Sequence, residues 1–261
     1  MRSLLMTSVA TAALALMAPQ AFADAAGVAK GVDPQANALG GGATRTLVVG
    51  SDVFLGDKVT TGPKGLVQIL FSDNTKLVIG PNSALTIEDY LIRNNGSAGK
   101  LAVDMLAGSF RFITGTSPKG AYEITTPTGT IGVRGTIFDV WVDALTGIAY
   151  VMMYRGETSL KSETVTKLLS GTCYVGQIDL DESLIIGNAD GIDGDDRKQF
   201  KEHFIFSINQ MQLLPEFRVA AATDCTRRDP PPASNDSLLS VPRCEFDGYN
   251  GDCEASQDTS Y

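Results

Sequence analysis

Between residues 47 and 160, apolar side chains recur in short runs separated by polar and turn-forming positions. The runs are rich in Val, Ile, Thr, Phe and Tyr, and Gly-Asp, Asp-Asn, Ala-Gly, Thr-Gly and Arg-Gly steps divide them. Such runs are typical of β-strands, and no stretch of this region keeps a helical period. The pattern predicts an all-β domain of antiparallel hairpins stacked in two sheets, as a sandwich or β-roll.

One hairpin can be assigned by register. A two-residue turn at Ala107-Gly108 would pair Met105 with Phe110 on one face of the sheet and Asp104 with Arg111 on the other. Apolar side chains would then share one face while an acid meets a base on the opposite face. We therefore expect a hairpin at this position.

The run TTPTGTIGVRGTIFDVW at 125–141 places three glycines around one arginine. Their G-x-x-G-x-x-G spacing precedes a β-run, whereas dinucleotide and P-loop fingerprints require a different spacing and a following helix. The apolar alternation slips by one residue between Val133 and Phe138, which predicts a β-bulge at Arg134-Gly135-Thr136 with Gly135 at positive φ. The bend would aim Arg134 either into an ion pair or outward at a partner.

The first 23 residues have the pattern of a signal peptide. Arg2 precedes the apolar run 4–18, and Ala21-Phe22-Ala23 supplies small residues at the cleavage positions. The alternative is a retained anchor helix, but the run is shorter than the ~20 apolar residues that a membrane span needs. We expect cleavage after Ala23 and a mature protein that is periplasmic or secreted and does not span a membrane.

The segments around the β-domain differ in composition. Residues 24–46 are small, polar and glycine-rich and predict a flexible lead-in, whereas 161–225 predict a loop followed by an amphipathic docking helix at about 195–214. Residues 226–261 are rich in Pro, Ser, Asp and Asn and predict a mostly disordered tail. The helix prediction depends on apolar residues spaced by four, four and three positions, before Pro215: Phe200, Phe204, Ile208 and Met211.

Charge and cysteine content restrict the partners and cofactors. Loss of Arg2 with the signal makes the mature chain one unit more negative than the −9 of the full sequence, which disfavours nucleic acid. The four cysteines allow three disulfide connectivities in an exported protein. The short polar loop between Cys244 and Cys253 favours that pair, with Cys173 bonded to Cys225.

Metal and cofactor motifs are weak. The sequence contains no C-x-x-C and a single histidine, His203, so zinc is disfavoured. The acidic stretch at 179–196 leaves two alternatives, a calcium site or a solvated loop, and the loop is favoured because the Asn188, Asp190 and Asp193 spacing does not match an EF-hand. We predict no metal site, no cofactor and no catalytic residue.

Four segments resemble the FecR periplasmic domain family. They are GDKVTTGPKGLVQILFSDNTKLVIGPNSALTI at 56–87, LAVDMLAGSFRF at 101–112, YEITTPTGTIGVRGTIFDVWV at 122–142 and GIAYVMMYRGETSL at 147–160. The order and spacing follow the family pattern, and the VRGT block is its most specific part. The resemblance covers roughly Gly50 to Leu160, which is less than half of the chain.

In the namesake regulators of that family, a transmembrane helix tethers the periplasmic domain to a cytoplasmic segment that handles a sigma factor. This chain has a cleavable signal where those regulators have the cytoplasmic segment, so a direct anti-sigma role is not expected. The resemblance implies a stand-alone exported module that binds, senses or assembles, with another envelope protein as its partner. Two alternatives stay open: a carboxylate-dependent glycan-active enzyme, and a periplasmic component of a transmembrane signalling chain.

Overall fold

The computed structural model describes residues 25–92, 98–118, 120–189 and 194–227. Strands dominate these residues, and the helices are short and lie at the C-terminal end. The strands are β1 (Ala25–Asp33), β2 (Ala36–Gly40), β3 (Ala43–Leu47), β4 (Asp52–Phe54), β5 (Lys58–Thr61), β6 (Leu66–Phe71), β7 (Lys76–Ile79), β8 (Ala84–Ile92), β9 (Ala98–Ile113), β10 (Tyr122–Thr126), β11 (Gly129–Val133), β12 (Ile137–Val142), β13 (Ala149–Arg155), β14 (Glu157–Lys161), β15 (Thr166–Ser170), β16 (Tyr174–Ile178) and β17 (Ser183–Asn188). The helices are α1 (Gly194–His203), α2 (Ile205–Ile208) and α3 (Asp224–Arg227), with 3₁₀ turns at Pro215–Phe217 and Ala220–Thr223.

The strands form two sheets that share β9. Sheet A has the order β4-β1-β6-β7-β9-β12-β13-β16-β17. Sheet B has the order β3-β2-β5-β8-β9-β10-β11-β14-β15. The prediction of an all-β fold with two stacked sheets is confirmed. One pairing differs from the expected antiparallel pattern, because β10 runs parallel to β9.

The expected hairpin at Ala107-Gly108 is wrong, because β9 continues through both residues as one 16-residue strand. Its first part pairs with β8 and β10 in sheet B, and its last part pairs with β7 and β12 in sheet A. Gly108 has φ +101°, and a Cβ there would lie 2.1 Å from Ser83 Oγ. The glycine therefore lets the strand turn from one sheet into the other and does not reverse the chain.

The hydrophobic core lies between the two sheets. Phe110, Phe112 and Phe138 of sheet A and Leu85 and Ile131 of sheet B are all completely buried in it. The rings of Phe112 and Phe138 stack with centroids 5.6 Å apart. Full burial of each such side chain contributes about 1.5–3 kcal/mol, so this interior holds the sheets together.

The prediction of a flexible lead-in over 24–46 is wrong, since β1, β2 and β3 occupy these residues. Ala26, Ala29 and Ala38 are buried in the core. A Cβ on Gly27 would lie 2.7 Å from the carbonyl oxygen of Leu70, so β1 approaches β6 more closely than a larger residue would allow. These residues resemble a linker in the sequence because they are small, but they are small because the strands pack closely here.

The segment 161–225 also differs from its prediction. Residues 166–188 contain β15, β16 and β17 in place of a loop, and within the expected helix at 195–214 the helical part is restricted to α1 and α2. Phe204 is buried, but Ile208 and Met211 are 51% and 83% exposed. The long helix does not form because side chains of sheet A bind the backbone after Asn209, as described below. The expected signal peptide (1–23) and residues 228–261 of the expected tail lie outside the described residues.

Candidate partner-binding surfaces

Arg134, Gly135 and Thr136 form the corner at which the chain passes from sheet B to sheet A. β11 ends at Val133 and β12 begins at Ile137, so the corner joins strands of different sheets and is not a bulge within one strand. Gly135 has φ +71°, in the left-handed region that favours glycine. The phase slip seen in the sequence therefore marks a change of sheet.

The side chain of Arg134 points away from the fold and is 63% exposed. Its Nη1 lies 4.0 Å from Glu157 Oε1, which is also exposed. The neighbouring Arg155 ends β13 and is exposed as well. We call Arg134, Arg155 and Glu157 the Arg134 rim. An exposed pair at this distance contributes at most about 1 kcal/mol, so Arg134 can exchange Glu157 for another acidic partner at little cost.

The backbone beneath the rim is fixed. Thr136 is completely buried, and its carbonyl oxygen accepts hydrogen bonds from the backbone N–H and the hydroxyl of Thr114, both at 3.1 Å. A Cβ on Gly156 would lie 2.6 Å from the carbonyl oxygen of Gly135, so the β13–β14 corner packs directly against this one. The rim thus presents its charged side chains from a rigid base.

The outer face of sheet A carries a second feature, a segment that we call the strap (residues 194–227). The hydroxyl of Ser109 donates to the carbonyl oxygen of His203 at 2.9 Å. The amide of Gln68 donates to the carbonyl oxygen of Gln212 at 3.3 Å and accepts from the N–H of Leu214 at 2.8 Å. Side chains of the sheet therefore satisfy backbone groups of the strap in place of intrahelical bonds.

Arg111 and Asp139 form a buried ion pair under the strap. Arg111 Nε donates to Asp139 Oδ1 at 2.7 Å and Nη2 donates to Oδ2 at 2.9 Å, while the Tyr154 hydroxyl donates to Oδ2 at 2.7 Å. Burial acts to lower the pKa of Arg111, but the charge of Asp139, the hydrogen bonds to it and the contribution of Tyr154 together outweigh burial, and the pKa is raised. Burial also raises the pKa of Tyr154 well above its usual value. Arg111 is therefore charged, and Tyr154 is a neutral donor.

Gln210 connects this ion pair to the strap. Its side-chain oxygen accepts from Arg111 Nη1 and from the N–H of Val219, and its Nε2 donates to the carbonyl oxygen of Val219 at 2.9 Å. At the end of the strap, Cys225 forms a disulfide with Cys173, as predicted. The expected Cys244–Cys253 bond lies outside the described residues.

A third polar cluster surrounds Asp73 in the β6–β7 loop. The buried carboxylate accepts hydrogen bonds from the backbone and hydroxyl of Thr75, from the Ser117 hydroxyl at 2.6 Å and from the Tyr122 hydroxyl at 2.8 Å. Burial raises the pKa of Tyr122, which keeps it a donor. The cluster closes the loop and joins it to β10.

His203 lies against sheet A. Its ring stacks on Trp141 with centroids 3.4 Å apart and an angle of 6° between the planes. Burial lowers the pKa of His203, while the negative charges of Glu202 and Asp143 act in the opposite direction. The strap thus brings the only histidine of the sequence onto the β-domain, but into an aromatic stack.

The acidic stretch at 179–196 is only partly described. Asp179 Oδ1 accepts from the N–H of Leu180 at 2.7 Å, Asn188 ends β17, and Asp190 and Asp193 lie outside the described residues. Within the part that the structure covers, no three His, Cys, Asp or Glu side chains are grouped to hold a metal ion. In the same residues, no helix has the length and apolar character needed to cross a bilayer.

Sequence reasoning missed the buried ion pair and the strap contacts. The available signal was a single polar residue flanked by apolar residues in each strand: Gln68 in LVQILF, Arg111 in SFRFI and Asp139 in IFDVW. Such interruptions mark polar side chains on a covered face, since buried polar groups need partners. The register pairs Arg111 with Asp139 and not with Asp104.

Comparison with known proteins gives one family match and a weak structural likeness. Residues 57–159 match the model of the family described as FecR protein. Two crystal structures of "a putative anti-sigma factor from Parabacteroides distasonis ATCC 8503" align over 50% of this chain and 59% of theirs, at 13% and 14% identity and TM-scores of 0.41 and 0.40. The chain thus spans less than two thirds of those proteins. The curated proteins include no significant sequence match.

Proposed function

From the match of residues 57–159 to the FecR family model, we propose that the protein is an exported, non-catalytic module that binds another protein of the bacterial cell envelope. The binding serves sensing or assembly in the periplasm or at the cell surface. The observation that carries the proposal is the Arg134 rim, where an arginine is exposed on a rigid corner of the domain.

The rim has the properties of a recognition site. Its backbone is held by the buried Thr136 and by the Gly135–Gly156 contact, so binding orders little of the chain. Arg134 offers a planar group that suits bidentate binding to a carboxylate. In a strongly acidic protein, this positive corner favours an acidic segment of the partner.

The buried carboxylates support a non-catalytic role. Asp139 is bound by Arg111 and Tyr154, and Asp73 is enclosed by hydroxyl and backbone donors. Asp57 accepts from Arg45 and from the N–H of Phe54. A glycan-active enzyme needs two carboxylates that face the substrate, whereas these three are used to fasten strands and loops.

Site-specific cross-linking tests the proposal. A photo-reactive residue at position 157, which leaves Arg134 in place, should capture one envelope protein in living cells, and Arg134→Glu should weaken that complex at least tenfold without changing far-UV circular dichroism. Lys64→Glu makes the same charge change at an exposed turn and should leave the complex unchanged. Equal binding by both variants would contradict the role of the rim.

Further results separate the alternatives. Hydrolysis of a cell-wall polysaccharide, abolished by one Asp or Glu substitution, would favour the enzyme. A membrane receptor as the captured protein would favour a signalling chain. For export, N-terminal sequencing should find Asp24 as the first residue, and an exported protein that retains Met1 would contradict cleavage after Ala23.

A further inference from the structure

The strap ends next to the Arg134 rim. Near its end, Cys225 is bonded to Cys173, with their Cα atoms 5.0 Å apart. The N–H of Cys173 donates to the carbonyl oxygen of Met153 at 2.7 Å, and Arg155 of the rim lies two residues after Met153 on β13. The disulfide therefore fixes the point from which the rest of the chain continues, and that point lies beside the rim.

The rim carries more positive than negative charge. Within the described residues, Arg134 has one ion-pair contact, at 4.0 Å with Glu157, and Arg155 has none. Exposed pairs at such distances are weak. Both guanidinium groups can therefore bind further carboxylates.

The sequence that follows the strap offers such carboxylates. Residues 228–243 balance two acidic residues with two basic ones, whereas residues 244–261 contain five acidic residues and no lysine or arginine. We call residues 244–261 the acidic tail, and its charge is opposite to that of the rim. The acidic residues are Glu245, Asp247, Asp252, Glu254 and Asp258.

The chain between the disulfide and the acidic tail is long enough to reach the rim. Glu245 follows Cys225 by 20 positions. A segment of that length spans about 25 Å as a flexible coil and at most about 70 Å when extended. Tethering over such a length gives an effective concentration on the order of millimolar, so even a weak contact between the tail and the rim is populated within one chain.

We propose that the acidic tail is an internal competitor for the Arg134 rim: its carboxylates bind Arg134 and Arg155 of the same chain and must leave before an acidic segment of the partner binds. The regulatory part of this inference rests on the proposed function, whereas the contact itself forms in the isolated protein. At micromolar protein, the tail of another copy is about a thousandfold more dilute than the tethered tail, so the occupant is the tail of the same chain. Only a partner with stronger contacts than the tail gains access, which excludes weak acidic ligands.

Intramolecular photo-cross-linking of the purified mature protein tests the contact without any partner. A photo-reactive residue at position 157 leaves both arginines in place and should cross-link to residues 244–261, which peptide mass spectrometry identifies. The yield should not depend on protein concentration. Arg134→Glu should reduce the yield at least fivefold, whereas Lys64→Glu, the same charge change at an exposed turn, should leave it unchanged.

A tail without charge tests the competition. A variant that replaces the five acidic residues of the acidic tail by amides keeps the length of the chain and should lose the cross-link. It should also bind the envelope protein captured through position 157 at least threefold more tightly than the native protein. Asp229→Asn/Asp236→Asn removes two carboxylates that precede the acidic tail and should change neither measurement. The uncharged-tail variant is Glu245→Gln/Asp247→Asn/Asp252→Asn/Glu254→Gln/Asp258→Asn.

The results separate the tail contact from the proposed function. Absence of the cross-link would overturn the proposal, as would a yield that rises with protein concentration or one that Arg134→Glu leaves unchanged. A partner that binds the native protein and the uncharged-tail variant equally would overturn the competition and leave the proposed function intact. A cross-link in the purified protein with no partner captured in cells would support the tail contact and contradict the proposed function.

Discussion

Arg111 and Asp139 lie directly opposite each other on neighbouring strands, β9 and β12, and are bound by two parallel hydrogen bonds on the covered face of sheet A. Both are almost completely buried. Two charges in such a site are stable only as a pair, because each alone would retain its desolvation cost. The strap supplies the remaining acceptor through Gln210. The ion pair therefore links the β-domain to the segment that follows it.

Replacing one member of the pair should be strongly destabilising. Arg111→Met leaves the Asp139 carboxylate buried with Tyr154 as its remaining side-chain donor, and we expect the free energy of unfolding to fall by about 3–5 kcal/mol. Urea denaturation measures the change. The double variant Arg111→Met/Asp139→Leu removes both charges and should be more stable than Arg111→Met alone. A double variant that is less stable than Arg111→Met would contradict this account. As a control, the exposed substitution Lys64→Met should alter the free energy of unfolding by at most about 0.5 kcal/mol.

The sequence predicted the two-sheet fold but misassigned one of its corners. Core-facing side chains occupy odd-numbered positions up to Met105 and even-numbered positions from Phe110 onward. The same change from odd to even numbers occurs between Val133 and Phe138. Both slips mark places where the chain changes sheet, yet at Ala107-Gly108 the glycine suggested a tight turn. The local pattern shows where a strand bends. Whether the chain then reverses or continues depends on pairing with strands that are distant in sequence, as for β9.

The strap could not be predicted in detail because its contacts join distant residues. Gln68 binds Gln212 and Leu214 across more than 140 positions, and nothing in the local sequence connects them. The apolar spacing of Phe200, Phe204, Ile208 and Met211 favours one long helix. Tertiary hydrogen bonds to the backbone outweigh that preference, which is worth only tenths of a kcal/mol per residue.

Gly135 should tolerate substitution poorly although no atom crowds it. Its φ of +71° is strained for a β-branched residue, and a Cβ there would meet nothing within 4 Å. Gly135→Val should therefore lose about 1–3 kcal/mol through backbone conformation alone. Arg134→Ala, next to it, should lose at most about 1 kcal/mol. Equal melting temperatures for Gly135→Val and the native protein would refute the strained corner.

The Cys173–Cys225 disulfide should stabilise the docked strap. The two residues are separated by 52 positions, and closing a loop of that length stabilises the folded state by about 4 kcal/mol in the chain-entropy account. Cys173→Ser/Cys225→Ser should lower the urea midpoint and increase amide exchange across 194–227. Cys244→Ser/Cys253→Ser is the matched control and should change neither measurement. Unchanged exchange in the first variant would show that packing alone holds the strap.

Docking of the strap should weaken at mildly acidic pH because of His203. Burial against Trp141 lowers the pKa of His203 below its ordinary value near 6.5, so the unfolded or undocked chain binds the proton more readily. The stability that the docked strap gains while His203 is neutral is complete above about pH 6.5. It is lost as the pH falls below about 6.5 toward the lower pKa of His203 in the docked state. The sequence contains one tryptophan, Trp141, so its fluorescence reports one site, where its ring lies against His203 and Tyr150. We expect a single titration step below about pH 6.5 together with a lower melting temperature. His203→Phe keeps an aromatic ring on Trp141 but cannot bind a proton, and it should abolish the step. A step that persists in His203→Phe would show that another group produces it and would contradict the role of His203.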